Sequence, residues 1–297
     1  MAADLHDLVK RHGGVVRGSS ALIPGPGHSR RDRSLSIRLG REDRLVFYSF
    51  AGDSIEAVRD YLGLEARQGE APNPALYRKL KLERERERRR QDREQRRQDA
   101  QALEFCGAVW SQAGPCDRSP AETYLRKCRG ISWALPNVLR FHPAAPLDYD
   151  AKHRAPAMVA IVQAPNGEPC GLHVTALKPD GSGKAGGNAR RMFGPVKGGA
   201  IRLAPVADQL AVAEGVETAL SFMVLTGTPT WSAMSTAGLE AFTVPPGVKQ
   251  LTIAADGDEA GLKAARQLAT TAQRHCDVIL CPAPDGEDWN DALKGEV

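Results

Sequence analysis

The spacing of apolar and polar residues changes character several times along the chain, and each change marks an element. SLSIRL (34–39) and RLVFYSF (44–50) alternate with the period of half-buried strands and predict an antiparallel pair. DSIEAVRDYLGL (53–64) switches to helical spacing behind a capping residue. After a linker at 65–75, residues 76–105 lack Pro and Gly and are filled by strong helix formers, which predicts one long exposed helix. Segment 101–150 reads as helical, AETYLRKCRGI above all, and ends in a turn at LRFHPAAP (139–146). PAMVAIVQA, an Asn166-Gly167 turn and CGLHVTAL then predict a hairpin, followed by a Gly-rich basic loop.

From about residue 206 strands and helices alternate. QLAVAEG, PTWSAMS, KQLTIAAD and DVILCP read as strands, and VETALSFMVLTG, GLEAF and EAGLKAARQLATTAQRH as the helices between them. In the last of these, Leu262, Ala265, Ala269 and Ala272 fall on one side. That order predicts an α/β fold with a parallel sheet of about four strands and right-handed crossovers. The chain divides into a small module (1–66), a linker and charged helix (67–105), a helical plus α/β segment (106–205) and the parallel domain (206–297).

Composition narrows the class. With 297 residues, 42% hydrophobic and 26% charged, the chain reads as soluble and globular. The longest apolar run, APAMVAIVQA, is too short to span a membrane, and MAADLHDLVKRHGG has no secretory pattern. Cys106, Cys116, Cys128, Cys170, Cys276 and Cys281 form no CxxC pair, so reduced packing thiols and a cytoplasmic location are expected. The net charge of +4 is unevenly spread, with RRR at 88–90 inside the long helix. That helix is either a solvated, salt-laced surface or a contact for a phosphate backbone.

Candidate chemistry lies at the strand ends, where ligands sit in open α/β sheets. Glu214 follows the first strand of the parallel domain, Asp256 and Asp258 the third, and Asp285, Glu287, Asp288 and Asp291 the fourth. For Asp256-Gly257-Asp258 alone, an Asx turn and a helix cap would suffice. With matching acids at the other strand ends, a hard divalent cation, Mg²⁺ or Mn²⁺, accounts for so much negative charge in one place. An EF-hand is excluded because Ala260 and Gln267 occupy positions that need oxygen donors of another kind. GSGKA lacks the spacing of a P-loop, and a flexible loop is the plain reading of 181–187. Lys178, Lys184, Arg190, Arg191 and Lys197 make a positive surface suited to a triphosphate or a nucleic-acid backbone.

Glu214-Gly215, then Asp256-x-Asp258 with Gly261, then a late acidic cluster resembles the TOPRIM domain of bacterial-type primases, topoisomerases and certain nucleases. AVAEGVETALSF and DWNDAL are similar to the primase-like TOPRIM proteins of phages, plasmids and mobile elements. The resemblance implies that Glu214, Asp256 and Asp258 are catalytic and metal-binding acids, with Asp288 and either Asn290 or Asp291 as the later pair. The N-terminus resembles a zinc ribbon that has lost its ligands: Ile23, His28, Ser49, and Asp53 or Ser54 stand at the ligand positions. Zinc is therefore not expected, and Leu35, Ile37, Val46, Phe47 and Phe50 are expected to pack that module. The resemblance implies a nucleotidyltransferase acting on single-stranded DNA and nucleoside triphosphates, with a replicative helicase as a further partner. A metal-dependent nuclease and a non-catalytic DNA-binding protein are the alternatives.

Overall fold

The structure is a computed structural model that describes residues 5–40, 45–64, 74–284 and 286–295, with side chains not described at 74–81. It divides into two compact units, Met1–Arg93 and Glu94–Val297.

In the first unit α1 (Leu5–His12) and α2 (Ile55–Leu62) accompany a four-stranded antiparallel sheet. The strands are β1 (Val15–Arg17), β2 (Ser20–Ile23), β3 (Leu35–Leu39) and β4 (Leu45–Ser49), in sequence order. The expected pair is β3–β4, with Ile37 opposite Phe47. Leu5, Leu8, Ile23, Leu35, Ile37, Phe47, Val58 and Leu62 form the core. Val46 and Phe50 do not join it: β4 alternation turns Leu45 and Phe47 inward, and Phe50 lies beyond the strand end, 44% exposed. Ser54 caps α2 by accepting from Ala57 N, and Gly63 ends it in the left-handed region at φ 66°.

Ser49, Asp53 and His28 lie together beside this sheet. The Ser49 hydroxyl donates to Asp53 Oδ2 at 2.6 Å, and His28 Nε2 lies 3.4 Å from Asp53 Oδ1. His28 Nδ1 meets Asp32 Oδ2 at 2.7 Å, and the hydrogen bond to Asp32 raises its pKa. Ile23 is wholly buried in the apolar core.

The long helix α3 (Pro74–Gln112) extends the expected one by two residues before and seven after. The second unit then builds a five-stranded antiparallel sheet from β5 (Gly114–Pro115), β6 (Leu139–Pro146), β7 (Arg154–Gln163), β8 (Pro169–Ala176) and β9 (Arg190–Phe193). LRFHPAAP is thus a strand, not a turn. Its register shifts between His142 and Ala145, which places Pro143 where no ladder N–H is needed. Helix α4 (Pro120–Thr123) runs into a π-helical turn at Tyr124–Cys128. One sheet face (Ala157, Val159, Leu172, Val174, Phe193) packs on Cys106 and Val109 of α3.

The other face, with Met158, Ala160 and Val162, shares a core with the C-terminal parallel sheet. That sheet comprises β10 (Gln209–Ala213), β11 (Thr230–Ser232), β12 (Gln250–Ala255) and β13 (Asp277–Pro282), in the order β11-β10-β12-β13. The chain leaves β10 toward one edge and returns to its other side, which makes the β10–β12 boundary a topological switch point. Strand alternation divides the faces. Ala211, Ala213 and Ala254 meet α5 (Val216–Thr226). Leu210, Val212, Leu251 and Ile253 meet Ala264, Ala265 and Leu268 of α7 (Glu259–Ala272). Each such buried branched side chain contributes roughly 1.5–3 kcal/mol. Helix α6 (Thr236–Glu240) lies beside α7, and α8 (Trp289–Gly295) beside α5. No described helix is long and apolar enough to cross a membrane.

Candidate active site

Glu214 follows β10 and Asp256 follows β12, and these strands are central neighbours, with Ala213 opposite Ala254. Both carboxylates therefore emerge at the switch point. Asp258 caps α7, accepting from Gly261 N at 2.6 Å, and its charge still reaches Glu214 and Asp256. Cap and rim acid are thus compatible roles for one side chain. The Asp256-Gly257-Asp258 turn is held by the loop before α8: Gly257 N donates to Glu287 O at 2.8 Å, and Gly286 N donates to Gly257 O. A Cβ at Gly257 would overlap the Pro284 carbonyl oxygen, so only glycine fits.

Burial and neighbouring charge act together on these acids. Burial raises Asp256, and Glu214, Asp288 and Asp258 add repulsion, so its carboxyl is pushed up to about 7 against some relief from Arg190. Glu214 is raised as well, by burial and by Asp258, although Thr236 N donates to its carboxylate. Asp256 Oδ1 is buried without a hydrogen-bond partner.

Asp288 stands at the start of α8, where its Oδ1 accepts from Asn290 N at 2.8 Å and Asp291 N at 3.0 Å. Asp291 Oδ2 accepts in return from Asp288 N at 3.3 Å, a reciprocal cap. Glu214, Asp256, Asp258 and Asp288 are thus brought together, whereas Asp291 is exposed and fastens Asp288 from outside. Asp285 lies outside the described residues. Among the described residues no three His, Cys, Asp or Glu side chains already converge as a metal cage. An all-oxygen donor set, mutual repulsion and the orphaned Asp256 Oδ1 nonetheless fit a hard divalent cation.

The basic residues divide between two sheet faces. Lys184 Nζ lies 2.8 Å from Glu217 Oε1, and Arg190 Nη2 lies 3.5 Å from Glu217 Oε2. Arg190 also acts electrostatically on Glu214 and Asp256. Arg191, one residue along β9, points the other way and donates to the carbonyls of Leu147 and Asn188. Lys197 lines an open cleft of about 790 Å³ with Phe105, Tyr149 and Gln98, away from the acids. Lys178 is exposed on the loop before Lys184. That loop is a built turn rather than a flexible one: Lys178 N donates to Gly183 O, Ala185 N to Ala176 O, and Ser182 N to Asp180 Oδ1.

Glu217 was not among the sequence candidates, yet it joins three segments. Its Oε1 also accepts from the Tyr124 hydroxyl at 2.8 Å. Arg129 Nε donates to that same hydroxyl at 2.9 Å, and Arg129 Nη1 donates to Asn290 Oδ1 at 3.0 Å. Asn290 Nδ2 donates to Arg129 O and Ser221 Oγ. Burial alone would raise Glu217, but Lys184 and Arg190, with the bonds from Lys184 and Tyr124, hold it down to about 2. For Lys184 burial outweighs the attraction of Glu217, and its ammonium is held below the ordinary value. Complete burial likewise pushes nearby His173 down to about 4. The sequence did carry a signal: a single acid in the otherwise apolar VETALSFMVL must find a buried partner.

Residues 209–296 match the Toprim domain family, and residues 100–203 match a domain of unknown function (DUF7146). The C-terminal part of the chain is therefore a Toprim domain. No curated protein matches the chain. Among solved structures it is similar to the zinc-binding and RNA polymerase domains of Aquifex aeolicus primase, at 17% identity over 99% of this chain and 80% of that one, TM-score 0.45. A DNA primase domain from Pseudomonas aeruginosa shows 16% identity over 66% and 75%, TM-score 0.42. The primase fragment of the bacteriophage T7 primase-helicase shows 18% over 58% and 65%, TM-score 0.40. The domain assignment rests on the Toprim match.

Proposed function

Starting from the Toprim domain at residues 209–296, we propose that the chain is a primase-like nucleotidyltransferase that joins nucleoside triphosphates on a single-stranded DNA template. The observation that carries this reading is the buried, unpartnered Asp256 Oδ1 among three further carboxylates, with Arg190 beside them. The acids suit a cation, and the guanidinium suits the phosphates that a cation accompanies. Glu214, Asp256, Asp258 and Asp288 would hold Mg²⁺ or Mn²⁺. When bound, the cation supplies charge neutralisation of the triphosphate and acidification of the attacking 3′-hydroxyl.

The chain's own residues do the rest. Arg190 and Lys184 face the growing charge on the phosphates, and Glu217 keeps both side chains turned toward the rim. Lys178 extends that positive edge, whereas Arg191 and Lys197, on the opposite face, suit contact with the strand rather than the reacting phosphates.

The test is extension of a single-stranded template with labelled nucleotides and Mg²⁺. Extension is expected, and Asp256→Asn should reduce it at least about 100-fold, since such charge stabilisation supplies several kcal/mol. Extension that survives both Asp256→Asn and Glu214→Gln, or cleavage of the strand in its place, refutes the reading.

A further inference from the structure

The acidic site leaves unexplained a stripe of arginines on α3. Arg86, Arg89, Arg90 and Arg93 of α3 by themselves line a shallow groove of about 250 Å³. They stand at i, i+3, i+4 and i+7, so one helix face carries all four over roughly 10 Å of axis. Among the described residues none of the four has a carboxylate within ion-pair distance. Acids stand three or four residues from three of them (Glu83 from Arg86, Glu85 from Arg89, Glu87 and Glu94 from Arg90), yet none closes an ion pair on the stripe. Arg86–Arg90 and Arg89–Arg93 are like-charged i,i+4 pairs, which weaken a helix standing alone. A polyanion laid on the face removes that repulsion.

We propose that this stripe binds the phosphate backbone of a single nucleic-acid strand. Between Glu83 and Asp99 there is no apolar side chain, which excludes the amphipathic face that a membrane surface requires. There is no aromatic residue either, so bases have nothing to stack on and contact runs through phosphates alone. The flanks select one strand over a duplex. On the helical wheel Glu83 and Glu87 border the stripe on one side, and Glu85 and Asp92 on the other. In a duplex groove these carboxylates would confront the two phosphate walls, whereas a single strand meets only the arginines. Guanidinium groups match phosphates in two-pronged geometry, and the contact is independent of base sequence.

The stripe shares no residue with the acidic site, and its test needs no divalent cation. Binding of the full chain to a labelled oligothymidine and to a duplex of equal length is measured across a salt series in EDTA. Each phosphate contact to a single strand contributes about 0.7 to the slope of log K against log salt. Replacing all four arginines by glutamine should therefore flatten the single-strand slope by about 2.8, while a fourfold lysine variant restores most of it. Circular dichroism checks that the helix persists; should it not, single Arg→Gln variants, each worth about 0.7, decide. An unchanged slope overturns the proposal. So does a larger loss for the duplex, or arginine-dependent binding of polyglutamate with oligothymidine binding intact, which would indicate an acidic protein partner.

Discussion

Glu217 shows how much one side chain can organise. It is buried, yet it is charged, because Lys184, Arg190 and Tyr124 reach it from other segments. Its depressed pKa stabilises the fold above the unfolded value of 4.5, and that contribution is lost as pH falls from about 4.5 toward 2. Glu217→Gln removes the charge and leaves Lys184 half-buried and unpaired, which should cost up to about 3 kcal/mol at neutral pH. In denaturant titrations the gap between wild type and variant should shrink through that acidic window. A gap independent of pH would mean the carboxylate is not ionised there. Because Glu217 positions other side chains rather than touching reacting atoms, the same variant should lower template extension without abolishing it.

At the scale of elements, the turn after β12 depends on its fit against the loop before α8. Gly257→Ala would drive a methyl group into the Pro284 carbonyl, and overpacking of this kind costs about 1–3 kcal/mol. The expected result is a lower melting temperature together with weaker Mg²⁺-dependent extension, since Asp256 and Asp258 flank the displaced residue. Unchanged melting and extension would show that the loop yields freely. Asn290 gives a second test at this scale. It ties α8 to Ser221 of α5 and to Arg129. Asn290→Ala strands buried partners and should cost about 1–3 kcal/mol by thermal unfolding.

Over the whole molecule, each unit has a core of its own. Ile37 is completely buried in the first, and all four tryptophans, Trp110, Trp133, Trp231 and Trp289, lie in the second. Ile37→Ala should destabilise the first unit by about 2–5 kcal/mol. Unfolding followed by circular dichroism should then shift at the N-terminal transition, while the tryptophan fluorescence midpoint stays in place. A fluorescence midpoint that moves with the variant would show that the two units unfold together.

What the amino-acid sequence determined by itself is whatever neighbours along the chain decide. The β3–β4 pair, the β7–β8 hairpin, the alternation from β10 to β13 and the long helix α3 all follow from local period and punctuation. So does the strand-end position of Glu214 and Asp256. LRFHPAAP escaped because its two prolines resemble a turn until an adjacent strand supplies the ladder and a register shift absorbs Pro143. Only the tertiary structure decided which charges meet. The order β11-β10-β12-β13 sets Glu214 beside Asp256, and strand alternation sends Arg190 toward the acids and Arg191 away. Glu217, Tyr124, Arg129 and Asn290 lie far apart in the chain and meet only when α5, the π-helical turn and α8 pack together. Such long-range pairings are governed by packing and burial, which no local pattern encodes.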